Sequence, residues 1–179
     1  MIKKLLTILF LFISFSGVAQ LLTWSPDFAT ESTSGMVITV DANKGNTGLL
    51  GYNANDVYVH IGVITNYSSS GSDWKHVQTT WGTTNPAAKA TSLGSNKWSF
   101  TIPGDLRTYF QVTDPGETIQ KIAILFRSGD GTKKQANGDG SDMYIPVYTT
   151  ATAVRFTQPP MQPLYTPAPE TITKSIGDN

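Results

Sequence analysis

Trp74 and Trp81, seven residues apart in the stretch SDWKHVQTTWG (72–82), are the residues of this chain whose type and spacing could do chemistry. Trp74 stands among Asp73, Lys75 and His76, and Trp81 among Thr79, Thr80 and Gly82. Neither neighbourhood has the alternation of a core strand. An indole offers a broad apolar face on few rotatable bonds, so ordering it costs little entropy. A sugar ring presents a matching face of C–H groups and an edge of hydroxyls. By analogy with bases stacked on aromatic side chains, each such contact is worth about 1–3 kcal/mol. Tyr58 and His60, on the strand face opposite Val57, Val59, Ile61 and Val63, could complete a flat aromatic platform with the two tryptophans. Lys75, His76, Gln78 and Arg127 are the candidate partners for the hydroxyl edge. An equally weighted alternative is that both tryptophans plug the ends of the fold. Trp98 shares a face with Phe100 and Ile102 and reads as core, whereas Trp24, in an opening strand, is ambiguous.

Other chemistries find less support. The chain has no cysteine, and its two histidines, His60 and His76, are not at the spacing of a zinc site. NGDGSD (137–142) places oxygens at alternate positions like the start of a calcium loop. However, Asp142 falls where such a loop needs glycine and Tyr148 where it needs a bidentate Glu, so a polar turn is the better reading. No metal or cofactor is expected. No G-x-S-x-G is present, and a pair of acids for glycoside hydrolysis cannot be picked out from sequence. No catalytic residue is therefore named.

The elements that must position the aromatics are strands. Alternation runs through MVITVD, DVYVHIGVIT, KWSFTIP, KIAILFR and DMYIPVY, with Pro146 predicting an edge or a strand end in the last. Turn-rich segments separate them, and DLRTYFQV (105–112) allows one or two helical turns. This pattern predicts an all-β fold, an antiparallel immunoglobulin-like β-sandwich.

The 179 residues carry a formal net charge of zero, and 15% are charged. Balanced charge argues against a nucleic-acid partner. At the N-terminus, two lysines, an apolar run from Leu5 to Phe15 and small residues at Gly17 and Ala19 form a secretory signal (1–19), too short to span a membrane. The expectation is a secreted or cell-surface bacterial protein with its folded module at 20–148. Residues 149–179, rich in proline, read as a linker and the start of a truncated second β-domain, with a disordered tail as the alternative.

VDANKGNTGLLGY, DVYVHIGVITN, SDWKHVQTTWG, GSNKWSFTI and IAILFRSGDGTKKQANGDGSDMYIPVY follow one another in this order. Together they resemble the bacterial starch-binding modules of carbohydrate-binding module families twenty-five and twenty-six, in particular the N-terminal module of secreted Bacteroidetes α-amylase-type glycoside hydrolases. The resemblance implies an α-glucan ligand such as starch or maltooligosaccharide, and a catalytic domain farther along the chain. Carried over by position, it implies His60, Trp74 and Trp81 as binding aromatics, Lys75 as a polar contact, and the loop from Arg127 to Asp130 as a contributor. The loop after Asp130 departs from the pattern, being longer and more basic (Lys133, Lys134), and the paired asparagines of those modules are missing. The rival reading is a protein–protein interaction or surface-assembly module without sugar binding.

Overall fold

A computed structural model describes residues 20–149. The expected signal peptide and nearly all of the proline-rich stretch lie outside these residues. The regular structure of the described residues is almost entirely antiparallel β-strand, arranged in two sheets that long turns and loops connect.

The first sheet has the order β1-β2-β5-β4, formed by Leu22–Ser25, Val37–Asp41, Lys97–Thr101 and Thr91–Gly94. Its alternation behaves as the sequence suggests. Ile38 and Val40 of β2 pair with Phe100 and Trp98 of β5, and all four are buried. Val37 and Thr101, also paired, face solvent. Trp98 donates its indole N–H to Ala54 O at 3.1 Å, which satisfies its polar atom inside the core.

The second sheet is built on the long pair of β3 (Val57–Thr65) and β6 (Ile119–Ser128), in register from Val57↔Ser128 to Ile64↔Lys121. Two short strands share the far edge of β6. β7 (Lys134–Gln135) pairs at Phe126 and Arg127, and β8 (Met143–Pro146) pairs at Lys121 to Ile124. Pro146 closes β8, as its missing N–H requires. DLRTYFQV yields a single helical turn, α1 (Leu106–Tyr109), in which the Asp105 carboxylate caps the Thr108 N–H while those of Leu106 and Arg107 donate to Glu31 O.

Val57, Val59, Ile61, Val63, Ile122, Ile124 and Phe126 of the second sheet join Ile38, Val40, Trp98 and Phe100 of the first in one hydrophobic core. The outward face of the second sheet is covered as well. Tyr58, Gly62, Ile64, Ala123, Leu125 and Arg127 are all buried, although they alternate with the core residues. What buries them is the tryptophan segment. Lys75 exchanges backbone hydrogen bonds with Val63, and Gln78 N–H reaches Ile61 O at 3.0 Å, so residues 75–78 line the free edge of β3. One residue too many lies between these contacts, and His76 absorbs it in a left-handed conformation (φ +50°). Gly62 is required beneath, because a Cβ there would stand 2.9 Å from Lys75 O. The chain then leaves the edge, carries Trp81 over the sheet, and returns through the turn at Pro86–Ala88 to bridge Tyr58 with Lys89.

Candidate functional site

Two loops that meet on the outer face of the second sheet hold Trp81. One is 79–84 and the other the turn between β6 and β7. Arg127 ties them together. Its guanidinium donates to Ser128 O (2.8 Å) and Gly129 O (3.0 Å) in the turn, and to Thr80 O (3.3 Å) and Thr83 O (2.6 Å) in the tryptophan loop. Its charge centre lies 5.7 Å from the Trp81 ring and 5.9 Å from the Tyr58 ring. Gly131, at φ +74°, is where the two loops come closest, and a Cβ there would stand 2.6 Å from Trp81 Nε1. Asp130 accepts from the Ser128 hydroxyl and from the N–H and hydroxyl of Thr132. These bonds, the Ser128 hydroxyl foremost, hold its carboxyl down to about 2.

The three binding aromatics expected from sequence do come together. His60 stacks on Trp74, with centroids 5.5 Å apart and 25° between planes, and meets Trp81 edge to face at 5.2 Å and 84°. The indoles are therefore steeply inclined to each other and form a corner around His60, which corrects the expectation of a flat platform. Trp81 is 41% exposed. Trp74 is half-buried against the core, with one face covered by His60. Its Nε1 is buried without a hydrogen bond of standard geometry, although it lies close enough to the Tyr144 hydroxyl to influence it. Thr79 Oγ1 shares a hydrogen bond of 2.8 Å with His60 Nδ1 and fixes the ring. Burial, and after it the Arg127 charge, lowers the His60 pKa below its ordinary 6.5, so the imidazole is neutral at pH 7.

The corner opens onto a depression of about 430 Å³ lined by His60, Trp74 and Trp81. Leu125 forms part of its floor, and Ser72, Lys134 and Asp142 complete the lining. The last three were not recognised as site residues in the sequence. Lys134 stood out there only as part of a basic loop, and Asp142 only as part of a polar turn. They reach the site because β7 and the approach to β8 run along the same edge of β6, a pairing that no local pattern announces.

Several expected contacts belong elsewhere. Arg127 is fully buried, with 0% exposure; its two terminal nitrogens are spent on backbone carbonyls and its Nε is buried without a partner, so it supports Trp81 and cannot touch a ligand. Asp130 organises its own turn and does not line the depression. Tyr58 is buried beneath the tryptophan loop at 8% exposure. Lys75 pairs with Asp73 at 3.0 Å, at the margin of the site. His76 turns away to the buried Glu117 carboxylate at 3.0 Å, and the Gln78 amide is held by His76 O. The 137–142 segment closes on itself, with Asn137 donating to Ser141 Oγ and to Asp142 O, as a polar turn does. Among the described residues, no group of three or more His, Asp or Glu side chains could hold a metal ion. Nor, among them, is any helix long and apolar enough to cross a membrane.

Comparison with known proteins adds no relative: no protein-family model matches the chain, and no curated protein does.

Proposed function

We propose that residues 20–148 are a secreted, non-catalytic β-sandwich module that binds an α-linked glucan and brings an α-amylase-type glycoside hydrolase to its polysaccharide. The two sheets sharing one core support the sandwich reading. The observation that carries the ligand is the open indole of Trp81, set at a steep angle to Trp74 across His60, over a depression with polar groups at its margin. A depression of this volume lies in the range of small-ligand sites. Coplanar rings would suit a flat, ribbon-like chain. Inclined rings suit a chain whose successive sugars turn relative to one another, as α-1,4-linked glucose does. Trp81 supplies the stacking face, Trp74 the side wall, and His60 the neutral spacer that holds them apart. A single site of this size binds weakly and becomes effective through its tether to another domain.

The test is affinity electrophoresis in soluble starch. Wild-type protein is expected to be retarded, and Trp81→Ala to run as it does in starch-free gel. Because Trp81 is 41% exposed, the substitution should cost about 1–2 kcal/mol of stability, and thermal unfolding of the variant checks that it remains folded. Retardation of the variant equal to wild type would reject the site. A wild-type protein unaffected by starch, maltoheptaose and pullulan would return the module to a protein-docking role.

A further inference from the structure

Lys134 and Asp142 carry opposite charges, line the same depression, and form no ion pair with each other. Their separation is built into the fold. Lys134 Nζ donates to Gly140 O at 3.2 Å, which holds the ammonium toward the 137–142 turn. The backbone of Asp142 is fixed by the Asn137 amide, which donates to Asp142 O at 2.6 Å. The Asp142 carboxylate makes no hydrogen bond of standard geometry with the described residues, although the Tyr144 hydroxyl lies close enough for the two to influence each other, which leaves its other acceptor positions open to the depression. Both side chains are half-exposed, one anchored by β7 and the other just before β8.

A half-exposed ammonium and carboxylate that face one opening without pairing present a strong donor beside a strong acceptor. A hydroxyl is the group that uses both, since it accepts through oxygen and donates through hydrogen. Charge-assisted hydrogen bonds of this kind are roughly twice as strong as neutral ones. The aromatic corner of the same depression offers an apolar wall. An apolar wall beside a donor–acceptor pair matches an uncharged ring with adjacent hydroxyls. A carboxylate in place of one hydroxyl can accept from Lys134 but has no hydrogen to give Asp142, whose charge it opposes, so only a neutral hydroxylated ring satisfies both groups.

Building on the glucan reading, we propose that Lys134 and Asp142 are the hydroxyl-reading pair of this site. Lys134 donates to one ring oxygen substituent, Asp142 accepts from its neighbour, and together they select uncharged sugars over uronic acids. They are specificity determinants, while Trp81 supplies the stacking face.

Charge-matched neighbours provide the controls. Lys133 and Asp139 are exposed, lie in the same loops and do not line the depression. The full chain is titrated with maltoheptaose and with a C6-carboxylated maltooligosaccharide by calorimetry, and thermal unfolding is followed in parallel. Asp142→Asn and Lys134→Gln should each weaken maltoheptaose binding about tenfold, while Asp139→Asn and Lys133→Gln leave it unchanged. Lys134→Arg keeps the donor and should retain most of the affinity. Wild type should bind the carboxylated sugar more weakly than the neutral one, and Asp142→Asn should narrow that gap. Equal losses from the control variants would make the effect one of general charge and overturn the pairing. So would unchanged binding by Asp142→Asn in a protein that still loses binding with Trp81→Ala, and this outcome leaves the glucan reading intact. Wild-type protein that binds neither sugar overturns both.

Discussion

The two sheets share one core but treat their outer faces differently. In the first, β2 and β5 alternate between buried and solvent-facing residues, with Val37 and Thr101 at the surface. In the second, β3 and β6 are buried on both faces over most of their length. Their outward residues lie beneath a loop that pairs with the β3 edge and then crosses the sheet. A sheet face left to water carries only its own side chains. A covered face can hold a loop rigid, and here the loop presents an indole. The candidate site is therefore on the covered sheet, with the clasp of Arg127 beneath it.

Substitutions on either side of this contrast should differ in size and in what they disturb. The largest loss is expected in the shared core. Trp98→Ala removes a wholly buried ring together with its hydrogen bond to Ala54 O, and should cost about 3–5 kcal/mol in urea unfolding. It should shift the unfolding of both sheets together, because both contribute to that core. Separate transitions for the two sheets would break the picture of one core.

Arg127→Met should come next. It takes the guanidinium from four backbone carbonyls: Thr80 O and Ser128 O keep donors from Thr83 and Gly131, whereas Thr83 O and Gly129 O lose the side-chain donor that Arg127 gives them. About 2–3 kcal/mol is expected. The accompanying sign is specific to the covered face: Trp81 should become more accessible to an aqueous fluorescence quencher in the folded state. A comparable substitution on the first sheet's outer face, Thr101→Met, should leave that accessibility unchanged.

The smallest effect is a dependence on pH. His60 is packed between Trp74, Trp81 and Thr79, and its protonated form is disfavoured by burial first and by Arg127 second, against an opposing pull from Asp142. The unfolded chain therefore takes up the proton more readily, and stability declines as pH falls below the unfolded value of 6.5. Above about 6.5 the contribution of neutral His60 is fully present. Urea midpoints at pH 7.5 and 5.5 should fall further for wild type than for His60→Gln. Equal declines would show that the stack is as open to a proton as free imidazole.

Much of the fold was legible from the chain. Alternation in MVITVD, DVYVHIGVIT, KWSFTIP, KIAILFR and DMYIPVY marks the inward side chains correctly, because a strand's period of two survives whatever covers its other face. Trp98 fell in the core with Phe100 and Ile102 for this reason. The single turn of α1 and the end of β8 at Pro146 follow from equally local causes. The short strands were less visible. β4 was hidden in TSLGSN and β7 in a polar loop, because each is held by pairing with a distant strand and not by its own pattern.

At the site, residue type brought forward Tyr58, His60, Trp74 and Trp81, since few side chains other than rings can form such a surface; the resemblance narrowed these to the last three, and Tyr58 is buried. It misplaced Arg127, which looks like a ligand contact in any β-strand that faces outward. Only the loop laid across that strand turns Arg127 into a buried support, because its guanidinium finds two carbonyls there, of Thr80 and Thr83, beside the two of its own turn. Likewise, the inclination of the two indoles is a matter of tertiary packing around His60, and Lys134 and Asp142 share one depression because β7 and β8 pair with the same strand. The sequence by itself determined which faces are apolar and which rings are available. Tertiary structure decided which of those rings meets water and which charges share its hollow, because such contacts join segments far apart in the chain whose pairing leaves no local mark.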